Sequence, residues 1–186
     1  MNWQHSIISR SFYDRNPIEV AKDLLGKFLV RKIGDTYLVG MITETEAYLA
    51  EGDSAAHSFK GQTKRNISLY KEAGHAYVHS MRQYCLLDVV TEGGGIPSSV
   101  LIRAIEPVEG INGETNGPGK VCRELSIDRS MDGVDITKPE SGVFISKGAK
   151  EMSHEIMTTS RIGISSAQDM PLRFHISGNI HVSKKR

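Results

Sequence analysis

An acidic segment is the part of this sequence whose residue types and spacing could do chemistry. Residues 40–66 read GMITETEAYLAEGDSAAHSFKGQTKRN, with carboxylates, a tyrosine and a histidine first and basic residues only at the end. Side chains alternate between the two faces of a strand, so Glu44, Glu46 and Tyr48 are predicted to share one face. Neighbouring carboxylates repel, and each therefore needs a partner or water. Two interpretations stay open: a solvent-facing strand edge, or a glutamate that faces a cleft as a general base beside an anionic partner.

The same segment could also supply metal ligands. Glu44, Glu46, Asp53 and His57 are residue types that bind metals, but their spacing matches no compact motif such as H-E-x-x-H. A single histidine in a loop is equally compatible with a structural or solvated role. We therefore expect neither a metal ion nor another cofactor.

Arg103 is a second candidate because it interrupts the apolar run VLIRAIEP. A buried guanidinium is costly unless a carboxylate pairs with it, and Glu46 and Glu106 are the candidate partners. The alternative is an arginine at the rim of the sheet whose charged head reaches water.

The length, composition and charge of the chain indicate what kind of protein positions these residues. It has 186 residues, of which 39% are hydrophobic and 24% charged, which predicts one globular domain over residues 1–186. The formal charge of +1 neither requires nor excludes a nucleic-acid partner. The sequence has no apolar run near the roughly 20 residues of a membrane span and no secretory signal, so Cys85 and Cys122 are expected to be free thiols. We expect a cytoplasmic protein, or a nucleoid-associated one in a prokaryotic host, without membrane contact and monomeric.

The order of local signals favours a sheet with few helices. Asn16-Pro17 predicts a helix start and Gly26 its end, and residues 27–48 predict a hairpin that turns at Gly34-Asp35. Residues 65–73 predict a short helix, and residues 75–91 a second hairpin whose tip is 81–84. Further strands are predicted at 98–107, 142–148, 161–165 and 172–183, and a loop followed by a helix at 117–127. This pattern is typical of an α+β domain on a mostly antiparallel sheet.

Five segments together resemble one enzyme family. They are ETEAYLAEGDSAAHS, TKRN, LIRAIEPVEG, NGPGKVCREL and the tail RIGI…PLRFHISGN…VS, and they occur in this order from about residue 11 to the C-terminus. The chain resembles the methylpurine-DNA glycosylases, also called alkyladenine or 3-methyladenine DNA glycosylases. The resemblance implies a curved sheet with short surrounding helices and a protruding β-hairpin. It also implies a monofunctional DNA-repair hydrolase that flips alkylated, and in some cases deaminated, purines out of double-stranded DNA and hydrolyses the N-glycosidic bond.

The resemblance also implies roles for single residues. Glu46 corresponds to the glutamate that activates water, and Arg103 to the arginine that braces the water and the glutamate. We expect Arg103 to keep Glu46 ionised. The base pocket corresponds to Tyr48, His57, Tyr77, His79 and Asp88.

The chain departs from the family pattern at the hairpin. His79 stands where the family has the second tyrosine of Tyr-x-Tyr, and Asp88 where it has asparagine. The tip has no aromatic residue at the expected place, so Met81 or Arg82 would have to enter the duplex. Asp88 could attract a cationic base or abolish the selection of purines.

Basic residues near these segments are candidate phosphate contacts, each of which could equally be a solvated surface charge. Lys60, Lys64 and Arg65 follow the acidic segment, and Lys120 follows Gly117 and Gly119 at a predicted helix start.

Three functions are compatible with these features. The first is a DNA glycosylase that uses water, since the motifs place no lysine as the nucleophile of a lyase. The second is a glycosylase-like module that binds nucleic acid without catalysis, which His79 and Asp88 favour. The third is a metal-dependent hydrolase built on Glu44, Asp53 and His57.

Overall fold

Eight strands and three short α-helices follow one another along the described part of the chain. The protein is represented by a computed structural model that describes residues 3–147 and 155–183. The α-helices are α1 (Arg10–Tyr13), α2 (Pro17–Asp23) and α3 (Pro118–Glu124). The strands are β1 (Phe28–Ile33), β2 (Thr36–Tyr48), β3 (Ala76–Met81), β4 (Tyr84–Thr91), β5 (Ser98–Glu109), β6 (Val143–Ser146), β7 (Ile156–Thr159) and β8 (Arg173–Ile176). Short 3₁₀ turns occupy Trp3–Ser6, Ile67–Tyr70, Arg129–Met131 and Pro139–Ser141.

Helix α2 forms where the capping signals predicted it. The Asn16 side chain accepts a hydrogen bond from the backbone N–H of Ile18 at 2.9 Å, and Pro17 occupies the first turn. The buried Thr45 hydroxyl donates to the carbonyl of Ala21 at 2.8 Å. This bond ties the helix to the face of β2 opposite to the glutamates.

All strand pairs are antiparallel and form one sheet. The order is β3-β4-β5-β2-β1-β6, with β8 paired to β2 and β7 paired to β8. The 13-residue strand β2 is central: β5 lies along one side of it, and β1 and then β8 lie along the other. The predicted α+β class with a curved antiparallel sheet is confirmed.

A bulge sets the direction of Arg103. The register of β2 against β5 shifts on either side of Glu44, so that Ala104 faces Glu44 while Ile102 faces Thr45. Arg103 lies between these two pairs and is skipped by the pairing. Because a bulge re-aims a side chain and breaks the strict alternation of faces, Arg103 can meet residues that alternation alone would not assign to it.

Several predicted elements are absent or shorter than predicted, and one strand was not predicted. Residues 161–165 do not form a strand, the tail forms a strand only over Arg173–Ile176, and residues 65–73 contain only the turn Ile67–Tyr70. Strand β7 was not predicted. The strand predicted over 142–148 is confirmed as Val143–Ser146, and residue 148 lies outside the described residues. Within the described ranges, no helix has the length and apolar character needed to cross a membrane.

Candidate active site

Arg103 joins two glutamates of β2 in a buried cluster. Its Nη1 lies 3.2 Å from Glu46 Oε2, and its Nε lies 3.1 Å from Glu44 Oε1. The Arg103 side chain is only 7% exposed, so the interpretation as a rim arginine is wrong. The pairing of Arg103 with Glu46 is confirmed, whereas Glu106 is not its partner because that carboxylate accepts a hydrogen bond from Asn179.

Glu44 is the partner of Arg103 that the sequence did not predict. Its Oε1 also lies 2.5 Å from Arg173 Nε, and its Oε2 accepts the backbone N–H of Ser183 at 2.6 Å. Burial by itself would raise the pKa of Glu44, but Arg103, the Ser183 amide and Arg173 outweigh burial and place the pKa below its ordinary value. Neither glutamate has exposed surface, so a solvent-facing strand edge is wrong.

Glu46 is held by three donors. The Ile162 amide donates to its Oε1 at 2.7 Å, and the Tyr48 hydroxyl donates to its Oε2 at 3.0 Å, beside Arg103. Burial nevertheless raises the pKa of Glu46 above its ordinary value, against the opposing effects of Arg103, Ile162 and Tyr48. Arg103 favours the ionised form of Glu46, but removal from water is the larger effect on this pKa. The ionised state of Glu46 stays a prediction.

A second ion pair fixes the ring of Tyr48. Arg161 contacts both carboxylate oxygens of Asp53, at 2.6 and 2.7 Å, and both side chains are fully buried. The Arg161 guanidinium lies 4.5 Å from the centre of the Tyr48 ring. One ring face and the hydroxyl are thus both occupied, which leaves the other face of Tyr48 for a ligand.

A cavity of about 540 Å³ lies in front of this cluster. Tyr48 and Arg103 belong to its wall, and Glu46 lies directly behind them. The cavity brings together all five residues proposed for the base pocket, namely Tyr48, His57, Tyr77, His79 and Asp88. Its volume lies within the range of small-molecule sites.

Two imidazoles and a phenol form the wall on the hairpin side. The rings of Tyr77 and His79 stack with centres 5.0 Å apart, and His57 meets His79 edge-on at 4.5 Å. His57 Nδ1 lies 3.0 Å from the Tyr77 hydroxyl. Desolvation and the neighbouring His79 lower the pKa of His57, which favours its neutral form.

The tip of the β3–β4 hairpin exposes two large apolar side chains and has a strained turn. Met81 and Tyr84 face each other across it and are 48% and 41% exposed. Tyr84 supplies an aromatic ring close to the tip, which the sequence comparison with the family did not assign. Arg82 is exposed at the turn with a φ of 55°, a left-handed conformation that non-glycine residues rarely adopt.

The basic residues differ in their surroundings. Lys60, Lys64 and Arg65 are exposed, and Lys60 lines the cavity. Lys120 instead pairs with Glu114 at 2.6 Å and also donates to Asn116. Contact of these residues with DNA stays a prediction.

Each residue proposed for the metal-dependent hydrolase contacts a different protein side chain. Glu44 faces Arg103 and Arg173, Asp53 faces Arg161, and His57 faces Tyr77. Over residues 3–147 and 155–183, no three His, Cys, Asp or Glu side chains are grouped as metal ligands would be.

Sequence reasoning missed the backbone of Ile162 and the arginines Arg161 and Arg173. The two arginines lie in the RIGI and PLRFHISGN segments, so an excess of arginine in apolar surroundings was the available signal. A backbone amide leaves no such signal in the sequence.

Known proteins are similar to this chain along most of its length. A family profile described as Methylpurine-DNA glycosylase (MPG) matches residues 11–180. A protein of Carboxydothermus hydrogenoformans named "Putative 3-methyladenine DNA glycosylase" is 40% identical over 96% of this chain and 100% of its own length. Proteins of the same name from Bacillus licheniformis and Legionella pneumophila (strain Corby) are each 40% identical, over 99% and 95% of this chain and 100% and 98% of their own. The chain therefore belongs to the methylpurine-DNA glycosylase family of DNA-repair enzymes.

Proposed function

We propose that this DNA glycosylase takes an alkylated purine out of double-stranded DNA and hydrolyses its N-glycosidic bond with a water that Glu46 activates. The observation that supports this most directly is the buried Glu46–Arg103 pair, 3.2 Å apart, immediately behind an aromatic-lined cavity. A buried carboxylate with a raised pKa in a cleft is the usual setting of a catalytic base.

The cavity suits a base that has left the helical stack. A base inside the duplex cannot be attacked, so its nucleotide must be extruded, which costs a few kcal/mol and least for damaged or mispaired bases. A purine alkylated at N3 or N7 carries positive charge, which the free face of Tyr48 and the rings of the opposite wall attract. Tyr77 and His79 offer further ring surface.

Hydrolysis then requires a water and a place for its proton. Arg103 Nη1 contacts Glu46 Oε2 and, at 3.4 Å, the carbonyl of Ile162, so three polar groups converge at the rear of the cavity. Water attacks the anomeric carbon, its proton passes to Glu46, and the electrons of the broken C–N bond neutralise the departing cationic base. The negative charge of Glu46 also stabilises the oxocarbenium-like sugar, as carboxylates do in glycoside hydrolysis.

The chemistry is that of a monofunctional enzyme. A lyase needs a lysine activated by desolvation or by a neighbouring cation. Lys60 is on the rim of the cavity and exposed to solvent. The product strand is expected to stay uncut until alkali is added.

The test is release of free base from a duplex containing 7-methylguanine, with EDTA present. Glu46→Gln is expected to reduce the single-turnover rate by about 10²–10⁴-fold while keeping affinity for the duplex, because it removes the proton acceptor and the negative charge but keeps the shape of the side chain. Glu51→Gln, an exposed position in the same segment, is the matched control and should keep the wild-type rate. A normal rate in Glu46→Gln contradicts the role of Glu46.

The second candidate, a binding module without catalysis, is favoured only by His79 and Asp88. The same assay separates the two functions, because any base release by the wild-type protein contradicts the second. Release that depends on a metal would instead disappear in EDTA.

A further inference from the structure

The two pocket residues that depart from the family pattern are partners of each other. His79 Nε2 lies 3.1 Å from Asp88 Oδ2, and both residues are buried, at 9% and 4% exposure. The other carboxylate oxygen of Asp88 accepts a hydrogen bond from the Ser99 hydroxyl at 3.1 Å. The replacements of tyrosine by histidine and of asparagine by aspartate therefore form a single coupled change in the wall of the cavity.

The hydrogen bonds indicate how this pair is protonated. Because His79 Nε2 faces a carboxylate, that nitrogen carries the proton. His79 Nδ1 is buried and has no hydrogen-bond partner among the described residues. A second proton there would bury a charged N–H without an acceptor, which costs more than an unused lone pair. The geometry thus gives His79 one hydrogen-bonding N–H, directed at Asp88, and leaves the carboxylate as the charged member of the pair.

Other charged groups around the cavity are balanced or far from its rear wall. Arg103 is matched by Glu44 and Glu46, Arg161 by Asp53, and Arg129 lies 3.5 Å from Asp132 behind Tyr77.

Apart from Lys60 at the rim, the remaining titratable groups of the wall are neutral. His57 has a lowered pKa, and burial raises the pKa of both Tyr48 and Tyr77, so that both are neutral phenols. Asp88 contributes to the pKa of each of these three groups, so its charge acts across the cavity. Lys60 is exposed at the rim.

We propose that the His79–Asp88 pair selects purines that carry a formal positive charge over neutral damaged purines. The inference rests on the proposed function, and it concerns specificity within that reaction. A buried charge acts more strongly through the low dielectric of a closed pocket than through water. A cationic base in the cavity compensates Asp88, whereas a neutral base leaves it without a counter-charge. His79 and Ser99 act as positioning residues that hold the carboxylate in place.

The effect must fall mainly on binding. Positive charge passes from the base to the adjoining sugar as the glycosidic bond breaks, so Asp88 attracts the bound substrate and the transition state to a similar degree. An interaction that is not stronger in the transition state lowers KM without raising kcat. A merely structural role for Asp88 would not produce this division between KM and kcat or depend on the charge of the base.

The test compares 7-methylguanine with hypoxanthine in otherwise identical duplexes. Asp88→Asn keeps the shape of the side chain and its bond to His79 but removes the charge. We expect it to lower the ratio of kcat/KM for 7-methylguanine to that for hypoxanthine by about tenfold or more, chiefly through KM. Asp35→Asn removes the same charge at an exposed turn and should leave the ratio unchanged. A ratio that stays within twofold in Asp88→Asn overturns the inference.

Two further variants separate specificity from folding and from function. The double variant His79→Tyr/Asp88→Asn restores the family residues and should show the same low ratio, with a thermal midpoint above that of His79→Tyr alone, which leaves Asp88 with one fewer partner. Affinities for the two duplexes measured in Glu46→Gln report charge selection without turnover. If the wild type releases neither base but Asp88→Asn still abolishes the preference in binding, the proposed function fails and the charge selection stands. If base is released but Asp88→Asn changes neither the kcat/KM ratio nor the ratio of affinities, the proposed function stands and the charge selection fails.

Discussion

At the residue scale, Tyr48 connects the catalytic cluster to the cavity. Its hydroxyl donates to Glu46, Arg161 covers one face of its ring, and its remaining surface lines the cavity. Arg161 is itself fixed by two bonds to Asp53. Removing one partner of such a buried pair leaves an uncompensated charge, so the ring is held by a contact that is costly to break.

Tyr48→Phe is expected to change the pH dependence of the reaction. The Tyr48 hydroxyl stabilises the ionised carboxylate, and its loss raises the pKa of Glu46 further. A base must be deprotonated to act, so the rate should fall at a higher pH in the variant than in the wild type. The measurement is the single-turnover rate on 7-methylguanine DNA from pH 5 to 8. An acidic limb that does not move, or that moves to lower pH, contradicts the assignment of Glu46 as the base.

The partners of Arg103 show how much of the site the sequence could predict. A buried arginine requires a carboxylate, and that rule identified Glu46 correctly. It also suggested Glu106, and it did not find Glu44, because the bulge beside Arg103 breaks the alternation on which such assignments depend. Bulges have no dependable signature in a single sequence.

At the element scale, the hairpins were predictable and the segment 161–165 was not. The β1–β2 and β3–β4 hairpins depend on neighbouring residues, and both form close to their predicted positions. Segment 161–165 has the apolar alternation of a strand. Its Ile162 amide, however, donates to Glu46, and its Arg161 reaches Asp53. The backbone N–H of Ile162 therefore bonds to a side chain of the site and not to a neighbouring strand, which the local sequence pattern cannot reveal.

The hairpin turn allows a test that separates DNA contact from stability. Arg82→Ala and Arg82→Gly both remove the guanidinium, but only glycine relieves the φ of 55°. We expect both variants to lose lesion-duplex affinity by a similar factor. Arg82→Gly is expected to unfold at a higher temperature than the wild type, whereas Arg82→Ala, which keeps the strained Cβ, is not. Duplex titration and thermal unfolding give the two quantities.

The outcomes separate two roles for the turn. If Arg82→Gly keeps wild-type affinity, Arg82 makes no contact, and insertion into the duplex would fall to Met81 and Tyr84, which face each other at the tip. If affinity follows the thermal midpoint in both variants, the residue acts through the shape of the hairpin.

At the scale of the whole molecule, strand order separates two surfaces. The cavity is lined from β3, β4, β5 and the end of β2, whereas β1 and β6 form the other edge of the sheet. This order depends on contacts between distant parts of the chain, such as β2 with β8, and local patterns could not predict it. The near-neutral total of +1 therefore does not describe the charge of either surface by itself.

The salt dependence of binding should locate the charge that contacts DNA. Lys64 and Arg65 are exposed beside the segment that forms the cavity mouth, whereas Lys32 and Lys147 lie on the β1–β6 edge. Each phosphate contact contributes about 0.9 to the slope of log affinity against log salt. Lys64→Gln/Arg65→Gln is thus expected to reduce the slope by about 2, and Lys32→Gln/Lys147→Gln, which removes the same net charge, by nearly nothing. Equal changes in the two double variants would mean that DNA responds only to total charge. Residues other than Lys64 and Arg65 would then have to make the phosphate contacts that hold the duplex while a base is extruded.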